Sequence, residues 1–466
     1  MTYLWDTDAI LAATNGRPIG ELPEGITGIS IDTRTIQAGE AFFAIKGDRF
    51  DGHNFLPAAM SAGAAFAVVA QNKLVSLGSL NMPLLVVEDV LEAMRRLAEV
   101  ARLRSKAQII AVTGSVGKTT VKEMLRTVLS ASGKVHASLA SFNNHWGVPL
   151  TLARLPEDAN FGVFEIGMNH AGEITPLVKL VRPHVAMINN VAAAHLGAFD
   201  SIDDIARAKA EIFTGVLPGG YGLINHDDRR YTLQRDLAKT AGIEHLVCFG
   251  TKRGSDFWLR EVEQTAEGSR LSVRHNGEDF TYDIGIPGEH MVMNSLGVLA
   301  AAVLAGAPRD KTADAMKRVQ PTDGRGTRYT IGGPGAMGIT IIDESYNANP
   351  ASMEAALNVL GNFEGVATKR RIAVLGDMLE LGRQSKKLHE ELAKPISMAK
   401  TDLVFLVGSE MEHLAKILPR DKLGGHYPDP IGLAEKLKVI FKPGDVVMFK
   451  ASNGLGFSKI IQEMME

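Results

Sequence analysis

Apolar residues repeat along this 466-residue chain in two ways, and the alternation between them predicts the fold. After one short run, Val121, Met124, Leu125 and Val128 recur at the spacing of one helical face, which is typical of an amphipathic helix. Runs of strand length occur at 109–112 ("IIAV"), 161–167 ("FGVFEIG"), 185–191 ("VAMINNV") and 220–226 ("GYGLINH"). Strands that alternate with helices predict a parallel sheet flanked by helices.

The same pattern divides the chain into three parts. Before residue 85, apolar runs such as "AFFAI" and "AAFAVVA" lie among polar turns, as in a small α/β domain. The helical pattern of the central region stops at Pro321, and strand-like runs then alternate with helices, as in a doubly wound sheet. We predict an α/β protein with a small N-terminal domain (1–85), a central nucleotide-binding domain with a parallel sheet (86–321) and a Rossmann-like C-terminal domain (322–466).

Composition narrows the class of protein. A net charge of -3 argues against general affinity for nucleic acid or anionic membranes. The single cysteine, Cys248, cannot form an internal disulfide, which fits a reducing compartment. The N-terminal "MTYLWDTDAI" lacks a basic and apolar signal region, and the longest apolar stretch, "LGVLAAAVLAGA", is too short to span a bilayer. We therefore expect a cytoplasmic monomer.

Residues 112–120, "VTGSVGKTT", are the first candidate for chemistry. They match the phosphate-binding pattern G-x-x-x-x-G-K-[ST], except that Val112 replaces its first glycine. The loop lies between a predicted strand and a predicted helix, so Gly114 and Gly117 would let backbone N–H groups approach a polyphosphate. Lys118 would neutralise phosphate charge, and the hydroxyl of Thr119 would face a magnesium ion. The alternative is an ordinary glycine-containing turn.

Glu165 ends an apolar run, where an ionised carboxylate is costly unless it meets a cation or a donor. A magnesium ion at the loop would supply that partner. The alternative is a glutamate that faces solvent at the end of a strand.

His195 and Lys209 follow in the same region. Because magnesium prefers oxygen ligands, the residues alone favour a structural role for His195. Lys209 continues the apolar helical face that includes Ile205 and Ile212, so its amine is aimed inward. Desolvation would lower its pKa, and a neutral amine is a nucleophile or can form a carbamate that binds metal. Alternatively, this lysine extends past the edge of the helix into solvent.

Each of three polar features further along the chain has two possible roles. Asn294, near the start of an apolar helix, could pair with a base edge or cap the helix. Arg325, in a glycine-rich linker, could swing onto a phosphate, although most linker arginines have no such role. The segment "DESYNANP" (343–350) could bind ribose or substrate, or could form an asparagine-rich turn before a helix that starts at Pro350.

Taken together, the loop, Glu165, His195, Lys209, Asn294, Arg325 and "DESYNANP" resemble the Mur ligases, in the order seen in that family. These are ATP-dependent, amide-forming enzymes of peptidoglycan precursor synthesis. "SIDTRTIQAGEAFFAIKGDRFDGHNF" is similar to their uridine-diphosphate-binding N-terminal domain. "SYNANPASMEAAL" and "VLGDMLELG" resemble the branch of the family that adds D-alanyl-D-alanine.

The resemblance implies an activity and a set of site residues. The activity is ligation of D-alanyl-D-alanine to UDP-N-acetylmuramoyl-tripeptide, with ATP and Mg²⁺. The expected nucleotide site comprises Thr113, Gly114, Ser115, Val116, Gly117, Lys118, Thr119, Thr120, Asn294 for adenine, Arg325 for the γ-phosphate, and Asp343. The expected metal ligands are Thr119, Glu165, His195 and a carbamylated Lys209, with Lys118, Lys209, His195 and Arg325 as the catalytic set. The uridine nucleotide and its muramoyl part would meet Ser30, Asp32, Arg34, Lys46, Gly47, Asn143 and Asn144, and the dipeptide would meet Tyr346, Asn347 and Asn349.

Two positions depart from the family pattern. Met291 stands where the family often has asparagine, and "KASNG" (450–454) replaces a typical K-G-S-R. The alternatives are another carboxylate-amine ligase, such as a tripeptide-forming Mur ligase or a folate polyglutamate ligase, and a nucleotide-dependent switch. A GTPase switch should carry an N-K-x-D motif after the loop, and the sequence contains none there.

Overall fold

The computed structural model describes residues 2–47, 50–78, 81–138, 141–193, 196–265, 268–332, 338–363 and 369–466. These residues form three α/β parts that follow one another along the chain, each built on one sheet of five to nine strands, and a separate two-stranded ribbon. The predicted α/β class with three successive parts is confirmed.

The N-terminal part is a small five-stranded sheet with helices. The strands of this part, which include the two of the ribbon, are β1 (Trp5–Asp6), β2 (Arg17–Ile19), β3 (Gly25–Ile26), β4 (Gly28–Ser30), β5 (Glu40–Phe43), β6 (Phe66–Ala70) and β7 (Leu84–Val87). Its helices are α1 (Thr7–Thr14), α2 (Leu56–Ser61) and α3 (Leu74–Leu77). The order is β2-β7-β6-β5-β4, and all but β2 are parallel, while β1 and β3 form the ribbon. The predicted limit after residue 85 falls inside β7, so we propose to place it after that strand.

The central part is built on a nine-stranded sheet. Its strands are β8 (Gln108–Thr113), β9 (Val135–Ala137), β10 (Phe161–Glu165), β11 (Val185–Ile188), β12 (Tyr221–Asn225), β13 (His245–Gly250), β14 (Phe257–Thr265), β15 (Gly268–His275) and β16 (Glu278–Ile284). Its helices are α4 (Val90–Arg104), α5 (Lys118–Leu129), α6 (Gly147–Ala153), α7 (Ile174–Val181), α8 (Ile202–Ala210), α9 (Tyr231–Thr240), α10 (Glu289–Leu304) and α11 (Arg309–Ala315).

The strand order of this sheet is β16-β15-β14-β13-β12-β11-β8-β10-β9. Seven strands, from β9 to β14 in that order, are parallel, which confirms the prediction. β15 and β16 extend the sheet as an antiparallel pair that the sequence analysis did not predict. Because β8 lies between β10 and β11 and is parallel to both, the carboxyl ends of these three strands meet at the edge of the sheet where residues 112–120 lead from β8 into α5.

The C-terminal part is a six-stranded sheet with helices. Its strands are β17 (Thr327–Ile331), β18 (Ile339–Asp343), β19 (Arg370–Gly376), β20 (Leu403–Val407), β21 (Leu423–Tyr427) and β22 (Asp445–Lys450), and its helices are α12 (Pro350–Gly361), α13 (Ser385–Glu390), α14 (Ala393–Met398), α15 (Met411–Ala415), α16 (Leu433–Ile440) and α17 (Phe457–Met465). The order is β17-β18-β22-β19-β20-β21, with only β17 antiparallel. Because β18 and β22 are parallel neighbours, their last residues, Asp343 and Lys450, lie at the same edge of the sheet.

The N-terminal and central parts share one hydrophobic core. Ile29 and Phe66 belong to the same cluster of buried residues as Ile109. At their junction, the indole N–H of Trp5 donates to the carbonyl of Ala153 at 2.8 Å, and the Arg104 guanidinium lies 3.4 Å from the centre of the Trp5 ring. The C-terminal part has separate clusters on the two faces of its sheet. No helix formed by the described residues is long and apolar enough to cross a membrane.

Candidate active site

A cavity of about 520 Å³ lies where the carboxyl ends of the central strands face the C-terminal part. Its walls are formed by the loop, by the ends of central strands and the segments after them, by α10 and by the C-terminal part. They include Ser115, Val116, Gly117, Lys118, Thr119 and Thr120 of the loop, Glu165 at the end of β10, Asn143 and Asn190 from segments after strands, His290, Met291 and Asn294 of α10, and Arg325, Glu344, Tyr346, Asn347, Asn349 and Lys450. The cavity therefore brings together most of the residues that the sequence pointed to for nucleotide, metal and dipeptide.

The predicted phosphate-binding loop, residues 112–120 and called the phosphate loop below, has the strand–loop–helix order that the sequence predicts. Thr113 is the buried last residue of β8, and Gly117 precedes α5 with φ of +83°. The backbone angle favours glycine, and a Cβ on Gly117 would lie 2.8 Å from Asn189 Nδ2 and so displace that side-chain amide. The ammonium of Lys118 donates to the carbonyl of Gly114 at 2.8 Å. Burial lowers the pKa of Lys118, and Arg325 lowers it further while Glu165 raises it.

Two asparagines after β11 hold this loop, and the sequence analysis did not single them out. Asn190 accepts a hydrogen bond from the Val116 N–H through Oδ1 at 2.9 Å and donates from Nδ2 to the Val116 carbonyl at 2.9 Å. Asn189 donates from Nδ2 to Asn294 Oδ1 at 2.8 Å. The available signal was the pair "NN" directly after a buried strand that neighbours the loop strand.

Glu165 is buried at the end of β10, with 2% of its surface exposed, so the interpretation as a solvent-facing residue is wrong. Its Oε2 accepts the hydroxyl proton of Thr119 at 2.8 Å, and its Oε1 accepts from Asn143 Nδ2 at 2.6 Å. A buried carboxylate that faces a hydroxyl supplies the hard oxygen donors that suit Mg²⁺. Within the described ranges, no group of three or more His, Cys, Asp or Glu residues could hold a metal ion.

Lys209 lies in the last turn of α8, a helix that Ser201 caps by accepting from the Asp204 N–H at 3.1 Å. Only 2% of Lys209 is exposed, so the interpretation of a lysine extending into solvent is wrong. Burial places its pKa well below the ordinary value, and the nearby charge of Lys118 lowers it further. Its ammonium has no hydrogen bond or ion pair with another described residue. His195 lies outside the described residues.

Arg325 reaches the phosphate loop from the linker before β17. Its Nη2 donates to Thr119 Oγ1 at 3.0 Å, and its guanidinium lies 3.9 Å from the centre of the Tyr346 ring. The Tyr346 hydroxyl donates to Ser141 Oγ at 2.6 Å. These contacts bring a cation of the linker to the residues of the phosphate loop.

The α10 wall of the cavity carries Asn294, His290 and Met291. Asn294 is the sixth residue of a helix that begins at Glu289, so of the two uses left open, capping of this helix is wrong. It is 6% exposed and faces the phosphate loop through Asn189. Burial lowers the pKa of His290. Met291, at the position that departs from the family pattern, is 4% exposed and lines the cavity.

Lys450 is 2% exposed at the end of β22. Its ammonium donates to the carbonyl of Asn347 at 3.0 Å and lies 3.5 Å from Glu344 Oε2. Burial lowers the pKa of Lys450, and Glu344 partly opposes that shift. The first residue of the divergent "KASNG" segment therefore belongs to the cavity.

The loop after β18 combines turn contacts with cavity-facing residues. Asp343 is 5% exposed, and its Oδ1 accepts from the Ser345 N–H at 2.9 Å, while the neighbouring Glu344 lines the cavity. The Oδ1 of Asn347 accepts from the Ala348 N–H at 2.9 Å. Asn349 forms a capping box with Ser352 at the start of α12, and Pro350 is the first residue of that helix, as predicted. Asn347 and Asn349 therefore make turn and capping contacts, and both also line the cavity.

The residues expected to bind the uridine nucleotide lie at adjacent strand ends of the N-terminal sheet. Ser30 ends β4, and its buried hydroxyl donates to the Asp32 carbonyl at 3.1 Å. Arg34 and Asp32 form an ion pair at 2.5 Å, and this hydrogen bond lowers the pKa of Asp32. Lys46 and Gly47 are exposed after β5.

Asn143 and Asn144 lie apart from those strand ends. Asn143 lines the 520 Å³ cavity and also a neighbouring one of about 1060 Å³, which Asn144 lines too. Asn144 Oδ1 accepts from the Gly147 N–H at 2.9 Å at the start of α6. The structure thus divides the predicted uridine-nucleotide set into a strand-end group and a group beside Glu165.

Three family models match successive parts of the chain. They are described as Mur ligase family, catalytic domain (residues 25–102), Mur ligase middle domain (112–302) and Mur ligase, glutamate ligase domain (328–453). The UDP-N-acetylmuramoyl-tripeptide--D-alanyl-D-alanine ligase of Bacillus subtilis (strain 168) is 34% identical over 445 residues, 95% of this chain and 93% of that protein. The chain belongs to the Mur ligase family.

Solved structures of Mur ligases agree with the architecture described above. MurF from Acinetobacter baumannii is 29% identical, with a TM-score of 0.83 over 99% of this chain and 98% of that one. MurF from Thermotoga maritima, in complex with ADP, is 25% identical, with a TM-score of 0.76 over 94% of this chain and 97% of that one. The resemblance to the family that the motifs indicate is confirmed.

Proposed function

We propose that this chain is an ATP-dependent ligase that joins D-alanyl-D-alanine to UDP-N-acetylmuramoyl-tripeptide in cytoplasmic peptidoglycan precursor synthesis. The names of its full-length relatives support the substrates, and the nucleotide in the T. maritima structure supports ATP. The observation that carries the proposal is one cavity in which Lys118, Arg325 and the Glu165–Thr119 pair converge from two parts of the chain.

In this proposal the phosphate loop binds the triphosphate of ATP. The helix N-terminus of α5 and the backbone N–H groups of the loop favour phosphate, and Lys118 adds a positive charge. Asn294 lies beside the loop and would bind the adenine base. Across the cavity, Arg325 would bind the γ-phosphate, and the Asp343–Glu344 segment would meet the ribose. Glu344 lines the cavity, so we expect it to make the closer contact.

Magnesium fits the oxygen donors next to the loop. Thr119 and Glu165 would hold the ion together with phosphate oxygens, and we expect His195 and a carbamylated Lys209 to complete the metal environment. When bound, Mg²⁺ would neutralise phosphate charge and hold the triphosphate in place. The buried amine of Lys209 suits carbamylation, because the depressed pKa leaves more of it neutral.

The reaction needs an activated acid, because a carboxylate resists attack by an amine. A carboxylate oxygen of the tripeptide attacks the γ-phosphorus, and the bond to ADP breaks, giving an acyl phosphate. The amine of D-alanyl-D-alanine then attacks the acyl carbon; phosphate leaves, the amine loses a proton, and the amide is formed. Lys118 and Arg325 stabilise the charge that develops during transfer. The C-terminal part covers the cavity and would exclude water that hydrolyses the acyl phosphate.

The two substrates would approach from opposite parts of the chain. We expect the uridine nucleotide at Ser30, Asp32, Arg34, Lys46 and Gly47, with the peptide directed towards Asn143 and Asn144. The dipeptide would reach the cavity beside the loop of Tyr346, Asn347 and Asn349. This arrangement requires the N-terminal, central and C-terminal parts to act together, with proposed limits near residues 87 and 321.

The test is product analysis with defined substrates. Purified protein would be incubated with ATP, Mg²⁺, UDP-N-acetylmuramoyl-tripeptide and D-alanyl-D-alanine, and ADP release and product mass would be measured. We expect ADP release to require both acceptor substrates and magnesium, and the product to be an amide of the two. Basal hydrolysis that ignores both substrates would favour a nucleotide switch. Ligation of a free amino acid in place of the dipeptide would favour another carboxylate-amine ligase.

A further inference from the structure

We propose that Tyr346 is a positioning residue for Arg325. Its ring supports the Arg325 guanidinium and its hydroxyl binds Ser141, so that Arg325 is delivered to the phosphate loop only when the C-terminal and central parts are docked. The inference rests on the proposed function, in which Arg325 meets the γ-phosphate, and it gives Tyr346 a role distinct from contact with the dipeptide.

The linker that carries Arg325 is fixed to the Tyr346 loop rather than to the phosphate loop. The Tyr346 N–H donates to the carbonyl of Gly324 at 3.1 Å, and the Gly326 N–H donates to the carbonyl of Asp343 at 2.8 Å. Gly324 and Gly326 have φ of +71° and +93°. A Cβ on Gly324 would lie 2.9 Å from Tyr346 Cβ, so the turn and the tyrosine are packed without spare room. Arg325 therefore moves with the C-terminal part.

The ring of Tyr346 restricts where the Arg325 side chain can point. The guanidinium carbon lies 3.9 Å from the ring centre, within the range of a favourable cation–π contact. From that position Nη2 reaches Thr119 Oγ1 at 3.0 Å. An arginine without this support would explore many rotamers, because its side chain has four flexible torsions, and each visit to the phosphate site would cost more conformational entropy.

The hydroxyl of Tyr346 connects the C-terminal part to the metal-binding residues through an ordered chain of donors. Thr119 gives its only hydroxyl proton to Glu165 at 2.8 Å. Ser141, 3.1 Å from Thr119 Oγ1, must therefore be the donor in that contact. Ser141 Oγ in turn accepts from the Tyr346 hydroxyl at 2.6 Å. Tyr346 thus bonds the central part at the same threonine that Arg325 approaches.

The experiment is a set of variants assayed for ligation at saturating acceptor substrates. Y346F removes the hydroxyl and keeps the ring, Y346L removes both, and S141A removes the partner hydroxyl. One neutral hydrogen bond corresponds to about a fivefold effect, so we expect kcat of Y346F to fall about fivefold with KM for ATP changed less than about twofold. Y346L should lose about a further fivefold, because the cation–π contact goes as well.

Coupling between the two hydroxyls is the decisive result. Y346F should have no further effect in the S141A background, since its partner is already absent. Equal fivefold losses in both backgrounds would overturn the inference, as would Y346L no slower than Y346F. Tyr427 is the matched control: it also carries a cation, with Lys436 Nζ 4.8 Å from the ring centre, in the same part of the chain. Y427F and Y427L should leave kcat unchanged.

A second measurement separates this inference from the proposed function. Small-angle X-ray scattering with Mg²⁺ and a non-hydrolysable ATP analogue reports docking of the C-terminal part without any ligation. We expect wild type and Y427F to share one radius of gyration, and Y346F and S141A to share a larger one. If wild type forms no ligation product, the proposed function fails, and the role of Tyr346 in docking is then decided by scattering alone. Identical radii of gyration for wild type and all variants would reject that role.

Discussion

Lys209 shows how the surroundings of one residue change its chemistry. An exposed lysine is charged at neutral pH, but Lys209 is buried and lies near a second cation, so its pKa is well below the ordinary value. The neutral amine can react with carbon dioxide, releasing a proton and leaving a carbamate. This converts a destabilised cation beside Lys118 into an anion that can pair with it or with a metal.

Lys209→Ala should lower kcat by about 10- to 100-fold, because a metal-supporting anion is lost. A short carboxylic acid such as acetate should restore part of the activity by occupying the vacated space. In wild type at limiting bicarbonate, activity should rise with pH and fall as pH drops through the depressed pKa, because protonation removes the nucleophilic amine. Steady-state assays with added acetate and across pH check these expectations.

The control for this variant is Lys239→Ala, which removes an exposed lysine from α9. It should have wild-type activity with and without acetate. A Lys209→Ala enzyme that is fully active without any additive would contradict the carbamate role.

Residue-scale prediction from sequence worked where an ionisable group interrupts an apolar pattern. Glu165 and Lys209 stand out for that reason, and both are buried. Glu165 accepts a hydrogen bond from Thr119, and Lys209 lies near the charge of Lys118. It failed where polarity is ordinary for the position. Asn189 and Asn190 follow a strand, as many turn residues do, and only the neighbouring loop gives them their role. The position of Asn294 inside α10 also depended on where that helix begins, since Glu289 rather than a later residue starts it.

At the scale of elements, the phosphate loop depends on the strand beside it. β11 pairs with β8 through Thr113, and Asn190 then binds both backbone groups of Val116. The loop is therefore shaped before any nucleotide arrives, and binding orders less of the chain.

Asn190→Ala should loosen the loop and raise KM for ATP by up to about 25-fold, because two hydrogen bonds of roughly 1 kcal/mol each, about fivefold apiece, are lost. The fall in kcat should be smaller, since Lys118 and Arg325 remain. Nucleotide titration by calorimetry and initial-rate kinetics measure both quantities. Asn358→Ala, on an exposed position of α12, is the matched control and should bind ATP like wild type. Equal affinity of Asn190→Ala and wild type would show that the loop keeps its shape unaided.

Elements with strong apolar periodicity could be predicted, and those set by pairing partners could not. β10, β11 and β12 match their predicted runs because parallel strands are buried on both faces. Strand β15, which pairs antiparallel with β14 and β16, has an alternating pattern in which Leu271 and Val273 are buried between more exposed residues. The prediction of a parallel sheet for this region did not include these antiparallel strands. The segment "KKLHEELAKPI" (386–396) has the polar and apolar spacing of one helix, yet it forms parts of two helices, α13 and α14. Pro395 in α14 lacks the N–H that a continuous helix would need there.

For the whole molecule, the two junctions between parts differ in kind. The N-terminal and central parts share a hydrophobic core, which favours a fixed arrangement. The described contacts between the central and C-terminal parts include polar groups at Thr119 and Ser141 and a close backbone approach at Gly197. Polar and glycine contacts cost less to separate than buried apolar surface, so this second junction is the one we expect to open for substrate exchange.

The backbone approach at Gly197 supplies the last test. The Gly197 N–H donates to the carbonyl of Glu380 at 3.0 Å, and Glu380 and Gly382 have φ of +65° and +56°. A Cβ on Gly382 would lie 2.8 Å from Gly197 Cα. Gly382→Ala should therefore separate this junction and lower kcat about tenfold or more, because the C-terminal part can no longer close fully.

Backbone strain alone must be subtracted from that effect. Gly432 has φ of +64° in the same part of the chain, and a Cβ there would meet nothing within 4 Å. Both Gly432→Ala and Gly382→Ala should lose about 1 kcal/mol of unfolding free energy, because alanine is strained in the left-handed conformation. Gly432→Ala should nevertheless keep the wild-type kcat, because its new methyl group meets no other residue. Denaturant unfolding and ligation kinetics of the two variants, measured side by side, separate strain from closure; equal kcat in both would mean that the Gly197 contact does not limit closing.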